Sequence, residues 1–182
     1  MQIGIPVLYL IHRSREPWSL FGFCRPRWFR DGVGGALLFV CGYVLYYLLY
    51  PLVWGAYTTL FGAAPDETAA VDLSRFFPTV AGWSAWFLVV ISSCCNGFVE
   101  ELVMRAYLIP RFERLLGGAW RSVLCTTALF AAYHVYQGGP GVFNTAILGL
   151  LHGALFCWTR RIWPLVVAHA IADVVGWVQV TG

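Results

Sequence analysis

Long runs without a charged residue dominate the chain. No Asp, Glu, Lys or Arg occurs in residues 32–65, 76–99 or 122–159, and Asp173 is the only charged residue after Arg161. A helix needs roughly 20 mostly apolar residues to cross a hydrocarbon core of about 30 Å. The run over residues 122–159 is long enough for two spans, and Gln137–Gly141 in its middle is a turn signal. The pattern predicts five transmembrane helices: Val33–Trp54, Val80–Ile109, Ala119–Gln137, Gly141–Trp158 and Ile162–Val180.

The composition excludes an ordinary soluble domain. Hydrophobic residues make up 59% of the 182 residues and charged residues only 12%, whereas about a quarter of the residues of a soluble domain are charged. So few charges could not cover a globule with polar surface. We therefore expect an all-α fold, a polytopic transmembrane helical bundle, with membrane lipid as its surroundings.

The chain has arginines but no lysine, and most of the arginines lie at one end of the predicted helices. By the positive-inside rule, the N-terminus and these connections face the cytoplasm. Because the arginines are spread over three segments at the membrane face, the net charge of +3 requires no nucleic-acid partner. The arginines at this end are Arg13, Arg15, Arg25, Arg27, Arg30, Arg111, Arg114, Arg121, Arg160 and Arg161.

The N-terminal part differs from the rest of the chain. Ile3–Ile11 is apolar but too short to span, and its positive charges follow it, which is the wrong order for a cleaved signal peptide. We interpret it as an interfacial segment on the cytoplasmic side. Gly55–Thr79 contains Gly, Pro and acidic residues and predicts a loop. The chain is thus predicted to form one membrane domain over residues 1–182, with residues 1–79 as a variable part and residues 80–182 as the core bundle.

Seven Asp, Glu, Arg or His residues lie well inside the predicted spans. Each is expensive there, since a centred Asp or Arg costs about 2.5–3.5 kcal/mol on insertion scales. At about 1.5 Å per residue, Glu100, His134 and His169 lie roughly 15, 20 and 12 Å from the arginine-rich ends of their helices. This shared depth predicts one polar site inside the bundle. The seven residues are Glu100, Glu101, Arg105, His134, His152, His169 and Asp173.

Helical spacing suggests how these side chains pair. Glu101 and Arg105 are four residues apart and can pair on one face of a helix, whereas Glu100 is turned about 100° away. Asp173 is likewise four residues from His169 and can orient its imidazole.

Two further residues are interpreted by their neighbours. Phe130 lies one turn from His134 and can wall that side of the site. His152 lies between Gly149 and Gly153, a setting typical of helix packing. We interpret His152 as a packing residue.

Three motifs in order resemble those of the CAAX-protease and bacteriocin-processing family. Glu100–Arg105 fits Glu-Glu-x-x-x-Arg, Phe130–His134 fits Phe-x-x-x-His, and His169–Asp173 fits His-x-x-x-Asn/Asp. The resemblance covers roughly Ala81–Gly176. It implies a helical membrane bundle that encloses a polar cavity opening toward the cytoplasmic side. It also implies an intramembrane endopeptidase, typified by type II CAAX prenyl endopeptidases, that acts on a peptide or lipopeptide near that side.

The resemblance also implies roles for individual residues. Glu100 would be the general base that activates water, and His134 would help to hold that water. His169 and Asp173 would stabilise the oxyanion of the tetrahedral intermediate. Asp173 stands where the family often has Asn, and a carboxyl group can donate there only when protonated, or else acts by orienting His169. The supporting residues would be Glu101, Arg105 and Phe130.

Two alternatives stay open at this stage. Glu100, His134 and His169 could form a zinc site of two histidines and a carboxylate, although water activation without a tightly held metal is favoured and no cofactor is firmly predicted. The chain could instead be a non-catalytic binding or immunity protein of the same fold. A transporter is disfavoured because the chain shows no inverted repeat.

Overall fold

The computed structural model describes residues 3–62 and 82–181, and all regular structure in these residues is helical. A π-helical segment, Leu102–Leu108, joins α3 to α4, and single 3-10 turns occupy Trp18–Phe21 and Val135–Gln137. The predicted class, an all-α membrane bundle, is confirmed. The helices are α1 (Gly4–Ser14), α2 (Trp28–Phe61), α3 (Gly82–Glu101), α4 (Ile109–Leu116), α5 (Ala119–Tyr133), α6 (Gly138–Thr159) and α7 (Trp163–Thr181).

Each predicted span overlaps a helix, but several boundaries differ. Helix α2 begins at Trp28, and α6 begins at Gly138, inside the predicted turn. The prediction placed Gly55 at the start of a loop, whereas α2 continues to Phe61 and ends at Gly62, whose φ is +81°. The Thr58 and Thr59 hydroxyl groups donate to the Gly55 carbonyl and are thereby satisfied inside the helix. The rest of the predicted loop, residues 63–79, and the start of the second predicted span at residues 80–81 lie outside the described residues.

Three of the described helices are long and apolar enough to cross a membrane: Trp28–Phe61, Gly82–Leu116 and Val135–Thr159. Helix α7 is apolar but shorter by this measure. Helix α5 has 15 residues, which is roughly 22 Å at 1.5 Å per residue and less than a typical hydrocarbon core. The chain is therefore a membrane protein, and the number of five spans stays a prediction.

One end of the bundle gathers the N-terminal segment and the arginine-rich connections, and we call it the arginine-rich end (residues 3–31, 109–121 and 159–163). Here the Ile162 N–H donates to the Gly22 carbonyl at 3.1 Å, and the Trp163 indole donates to the Cys24 carbonyl at 2.8 Å. Two clusters of buried apolar side chains fill this end. Their members are Val7, Ile11, Phe21, Leu102, Ala106 and Ile162 in one, and Ile109, Val123, Phe156 and Leu165 in the other.

Asp31 links the start of α2 to the connection between α6 and α7. Arg161 donates from Nε to Oδ1 at 3.0 Å and from a terminal nitrogen to Oδ2 at 2.7 Å, and the Arg27 backbone N–H also donates to Oδ2. The hydrogen bonds to Asp31 raise the pKa of the Arg161 guanidinium above its ordinary value. This two-pronged geometry is the strong form of an arginine–carboxylate pair.

We expect Asp31→Asn to lower the free energy of unfolding by about 1.5–3 kcal/mol, because it weakens hydrogen bonds to a charged group. Thermal unfolding in detergent micelles measures the loss. Glu16→Gln is the control, since Glu16 pairs with the more exposed Arg111 and Arg114, and exposed pairs contribute about 0–1 kcal/mol. Equal losses in the two variants would contradict this account of Asp31.

Glycines let α7 approach its neighbours closely. A Cβ at Gly35 of α2 would lie 2.6 Å from Val167 side-chain atoms, and a Cβ at Gly97 of α3 would lie 3.1 Å from the His169 Cβ. Small residues at helix interfaces are how membrane helices bring their backbones together. At Gly97 this contact sets α3 directly against the turn of α7 that carries His169.

Candidate active site

A cavity of about 710 Å³ lies between α3, α5, α6 and α7. Its wall carries the four residues predicted to be catalytic, Glu100, His134, His169 and Asp173, together with Phe130. Side chains from separate helices thus share one polar space, as their matched depths predicted. The geometry brings these residues together, and their catalytic roles stay predictions.

Glu100 has one engaged and one unengaged carboxylate oxygen. The Tyr133 hydroxyl donates to Oε1. Oε2 lies 3.3 Å from His169 Nε2, yet it is buried and accepts no aligned hydrogen bond. A buried carboxylate oxygen normally has a donor. Oε2 therefore keeps an unused capacity to accept a hydrogen bond.

His134 directly follows the last residue of α5, and its ring forms a hydrogen bond to that helix. Its Nδ1 lies 2.7 Å from the Phe130 carbonyl oxygen. Because a carbonyl only accepts, Nδ1 must carry the hydrogen, and Nε2 of the neutral ring is then an acceptor. The Phe130 ring meets the imidazole edge to face, with centroids 4.6 Å apart. His134 is thus fixed in one tautomer, as a water-holding group requires.

His169 is surrounded by carboxylates. Its Nδ1 lies 2.8 Å from Glu101 Oε1, and its Nε2 faces Glu100 Oε2 at 3.3 Å and Asp173 Oδ1 at 3.7 Å. Only 6% of the residue is exposed. The ring is therefore held from one side by Glu101 and directs its other nitrogen toward the cavity.

Glu101 is a fully buried acceptor that joins three elements. Its Oε1 lies 3.1 Å from Arg105, 3.0 Å from His152 Nδ1 and 2.8 Å from His169 Nδ1. The predicted pair of Glu101 and Arg105 is confirmed. Arg105 also lies over the Phe130 ring, with its guanidinium carbon 4.5 Å from the centroid, so the supporting residues form one connected layer behind the cavity.

His152 contributes more than packing. The sequence interpretation placed it at a helix interface beside two glycines, and it is indeed buried at 1% exposure. Its Nδ1 also donates to Glu101, which ties α6 to α3 through a charge-assisted hydrogen bond. Its position next to Gly149 and Gly153 gave no sign of this partner 51 residues away.

Two residues of the cavity wall that donate hydrogen bonds to predicted site residues were not predicted from the sequence. Tyr133, next to His134, donates to Glu100. Asn96, one helical turn before Glu100, donates from Nδ2 to Asp173 Oδ2 at 3.0 Å. Its signal was the single amide side chain in the uncharged run over residues 76–99, four residues before Glu100.

The structure groups a different set of metal-type ligands from the predicted one. Among the described residues, the set whose ligand atoms lie within 4.8 Å of one another is Glu101, His152 and His169, whereas the sequence suggested Glu100, His134 and His169. Arg105 lies on the same oxygen of Glu101 as the two histidines and already neutralises its charge. This set fits a hydrogen-bonded ion pair better than a site for a divalent cation.

The cavity extends away from the arginine-rich end. From Glu100 and His169 it runs toward the junction of α5 with α6 and the end of α7, where its wall includes Tyr136, Gln137, Gly141 and Gln179. The packed apolar clusters occupy the opposite end. The positive-inside rule puts the arginines in the cytoplasm, and the resemblance implies a cavity opening to the same side. In this structure the two expectations cannot both hold.

Comparison with known proteins gives one match. A family model described as Type II CAAX prenyl endopeptidase Rce1-like matches residues 82–175, just over half of the chain, and includes all three motifs. No curated protein and no solved structure matches the chain.

Proposed function

Because this chain belongs to the Rce1-like family of type II CAAX prenyl endopeptidases, we propose that it is an intramembrane endopeptidase in which Glu100 activates water. The observation that carries the proposal is the Glu100 side chain in the cavity wall, with His134 and His169 in the same wall and His169 Nε2 at 3.3 Å from its carboxylate. A carboxylate in such a place can accept a proton from water. Residues 80–182 would form the catalytic core and residues 1–79 the variable part.

The attack begins with a water molecule between Glu100 and His134. The Glu100 carboxylate takes a proton from the water while the water oxygen bonds to the peptide carbonyl carbon, and the π electrons of the C=O bond move to the carbonyl oxygen. His134 Nε2 accepts a hydrogen bond from the other hydrogen, which aims the oxygen lone pair at the carbon. Tyr133 holds Oε1 of Glu100 and so fixes the plane of the carboxylate. Holding water and base in this arrangement removes part of the entropic barrier.

The tetrahedral intermediate carries a negative oxygen that needs donors. In its doubly protonated form His169 donates through Nδ1 to Glu101 and through Nε2 into the cavity. When the intermediate collapses, the C–N bond breaks and the leaving amine takes the proton held by Glu100. The products are a carboxylic acid and an amine, and Glu100 returns to its ionised form.

The orientation follows from the charge distribution. Ten arginines lie in the segments of the arginine-rich end, so by the positive-inside rule we place that end and the N-terminus in the cytoplasm. Glu100 and His169 then lie roughly 15 and 12 Å from it along their helices. Hydrolysis would occur in the cytoplasmic half of the bilayer.

The test is a cleavage assay with the protein purified in detergent. We use two internally quenched peptides that end in the same CAAX-type sequence, one with a prenylated cysteine and one without. We expect release of a C-terminal fragment, identified by mass spectrometry, and no effect of a chelator. Activity that is lost with chelator and restored by zinc would support a metal mechanism. Failure to cleave these probes and a wider lipopeptide library would favour the non-catalytic binding protein.

A further inference from the structure

We propose that Asn96 is a catalytic residue of this site, donating a hydrogen bond from its side-chain amide to the oxyanion, and that Asp173 is the residue that positions it. This inference rests on the proposed function and deepens it. It starts from a difficulty with Asp173 itself. An ionised carboxylate only accepts hydrogen bonds, so Asp173 in that form cannot stabilise a negatively charged oxygen.

The fold places Asn96 beside the reacting groups. Asn96 precedes Glu100 by four residues and therefore lies on the same face of α3, and both side chains line the cavity. Helices α3 and α7 meet closely at the adjacent Gly97, since a Cβ there would lie 3.1 Å from the His169 Cβ and 3.2 Å from the Ala170 nitrogen. This approach brings Asn96 within hydrogen-bond distance of Asp173.

The hydrogen bond fixes the orientation of the amide. Asn96 Nδ2 lies 3.0 Å from Asp173 Oδ2. Because the carboxylate accepts and does not donate, it selects the NH₂ group of the amide rather than its carbonyl oxygen. An amide nitrogen carries two hydrogens, so one is used by Asp173 and the second can serve an oxygen in the cavity.

Asp173 accepts a hydrogen bond from one donor and lies close to a second. Its Oδ2 accepts from Asn96, and its Oδ1 lies 3.7 Å from His169 Nε2. At 3.7 Å the carboxylate is too far from the imidazole for a hydrogen bond, so the Nε2 N–H stays available, beside the Asn96 amide, for the carbonyl oxygen of a substrate. Two fixed donors aimed at one developing charge are the arrangement of an oxyanion hole.

The experiment measures kcat and KM for Asn96→Ala and Asn96→Asp on the prenylated quenched peptide, beside the unmodified protein and Glu100→Gln. We expect kcat to fall about 10²–10³-fold in both Asn96 variants, which is the usual cost of removing one oxyanion donor. KM should stay within about twofold, because the interaction forms only in the transition state. Thermal unfolding in detergent confirms that each variant is folded.

Exchanging the two side chains gives a sharper test. The double variant Asn96→Asp with Asp173→Asn keeps one amide and one carboxylate in contact, with the amide now supplied from α7. We expect its kcat to exceed that of Asn96→Asp alone by at least about tenfold, since one donor to the oxyanion is typically worth 10²–10³-fold. Thermal unfolding of the same variants separates the two roles: a merely structural contact would change stability and kcat together, whereas an oxyanion donor changes kcat in protein that is equally stable.

The outcomes separate this inference from the function on which it rests. If Asn96→Ala keeps kcat within threefold of the unmodified protein while Glu100→Gln is inactive, the inference is overturned and the proposed function stands. If the exchange gives no recovery over Asn96→Asp, the amide is not the donor. If the unmodified protein cleaves nothing, the proposed function fails and the role of Asn96 fails with it.

Discussion

Glu100→Gln should lower kcat for peptide hydrolysis by about 10²–10⁴-fold, the usual contribution of a general base. The amide has nearly the same size as the carboxylate, and its carbonyl oxygen can still accept from the Tyr133 hydroxyl, which bonds to Glu100 in the native protein. It cannot take a proton from water. The measurement is the initial rate of cleavage of the prenylated quenched peptide in detergent, together with KM, which should change little.

Glu113→Gln is the matched control for this substitution. Glu113 is also a glutamate in an ion pair, with Arg160 at 2.5 Å, but it lies at the arginine-rich end and does not line the cavity. Its removal should leave cleavage unchanged. If Glu100→Gln is expressed, folded and as active as the Glu113 variant, then Glu100 is not the base. Retention of every cellular function by the Glu100 variant would favour a binding protein.

Arg105→Leu should lower the free energy of unfolding by about 3–5 kcal/mol, because it leaves the carboxylate of Glu101 buried without its cation. Glu101 is fully buried and Arg105 is 1% exposed, so water cannot compensate for the loss. The substitution also removes the guanidinium from the face of Phe130. Unfolding by heat or denaturant in detergent micelles measures the difference, and the cleavage assay should show a corresponding loss of active protein.

A second substitution should reverse much of this damage. Glu101→Gln in the Arg105→Leu background removes the unpaired charge and keeps an oxygen that can accept from His152 and His169. The double variant should therefore be more stable than Arg105→Leu alone, a non-additivity that reports direct coupling. Arg121→Leu is the control, since Arg121 is on the surface and bonds only to the Leu116 carbonyl among the described residues. Additive losses at positions 101 and 105 would contradict the ion-pair account.

The sequence predicted the helices and most of the candidate site for the same physical reason. Charged side chains are costly in lipid, so long stretches without them indicate membrane spans. The few charged or histidine side chains inside such stretches indicate a site, and these included Glu100, His134 and His169. Helical spacing of four residues then predicted the pair of Glu101 and Arg105, which depends on no other element.

The contacts that the sequence did not predict join distant segments or involve uncharged groups. The hydrogen bond from His152 to Glu101 crosses 51 residues and depends on how α6 is rotated. Asn96 carries no charge and therefore stands out little in an apolar run. The extent of α2 past Gly55 was missed because a single glycine weakens a helix by only about 1 kcal/mol, which its threonine hydrogen bonds and apolar surroundings can outweigh.

The spacing of apolar residues along one helix also could not predict how the N-terminal residues pack against distant helices. Val7 and Ile11 of α1 and Phe21 bury themselves against Leu102 and Ile162, which are more than 80 residues away in sequence. These long-range contacts close the arginine-rich end. The depth of the site residues along their helices could not reveal which end of the cavity is closed.

The closed arginine-rich end restricts the route by which a substrate of the proposed enzyme would reach Glu100. The packed apolar clusters lie at the end from which the cavity extends away, so a peptide substrate of the proposed enzyme would enter from the opposite membrane face or from the lipid. If the arginines lie in the cytoplasm, as we propose, the segment to be cut must first enter the bilayer. A water-soluble tail in the cytosol would have to be drawn into the membrane first, a task for which a covalently attached lipid is well suited.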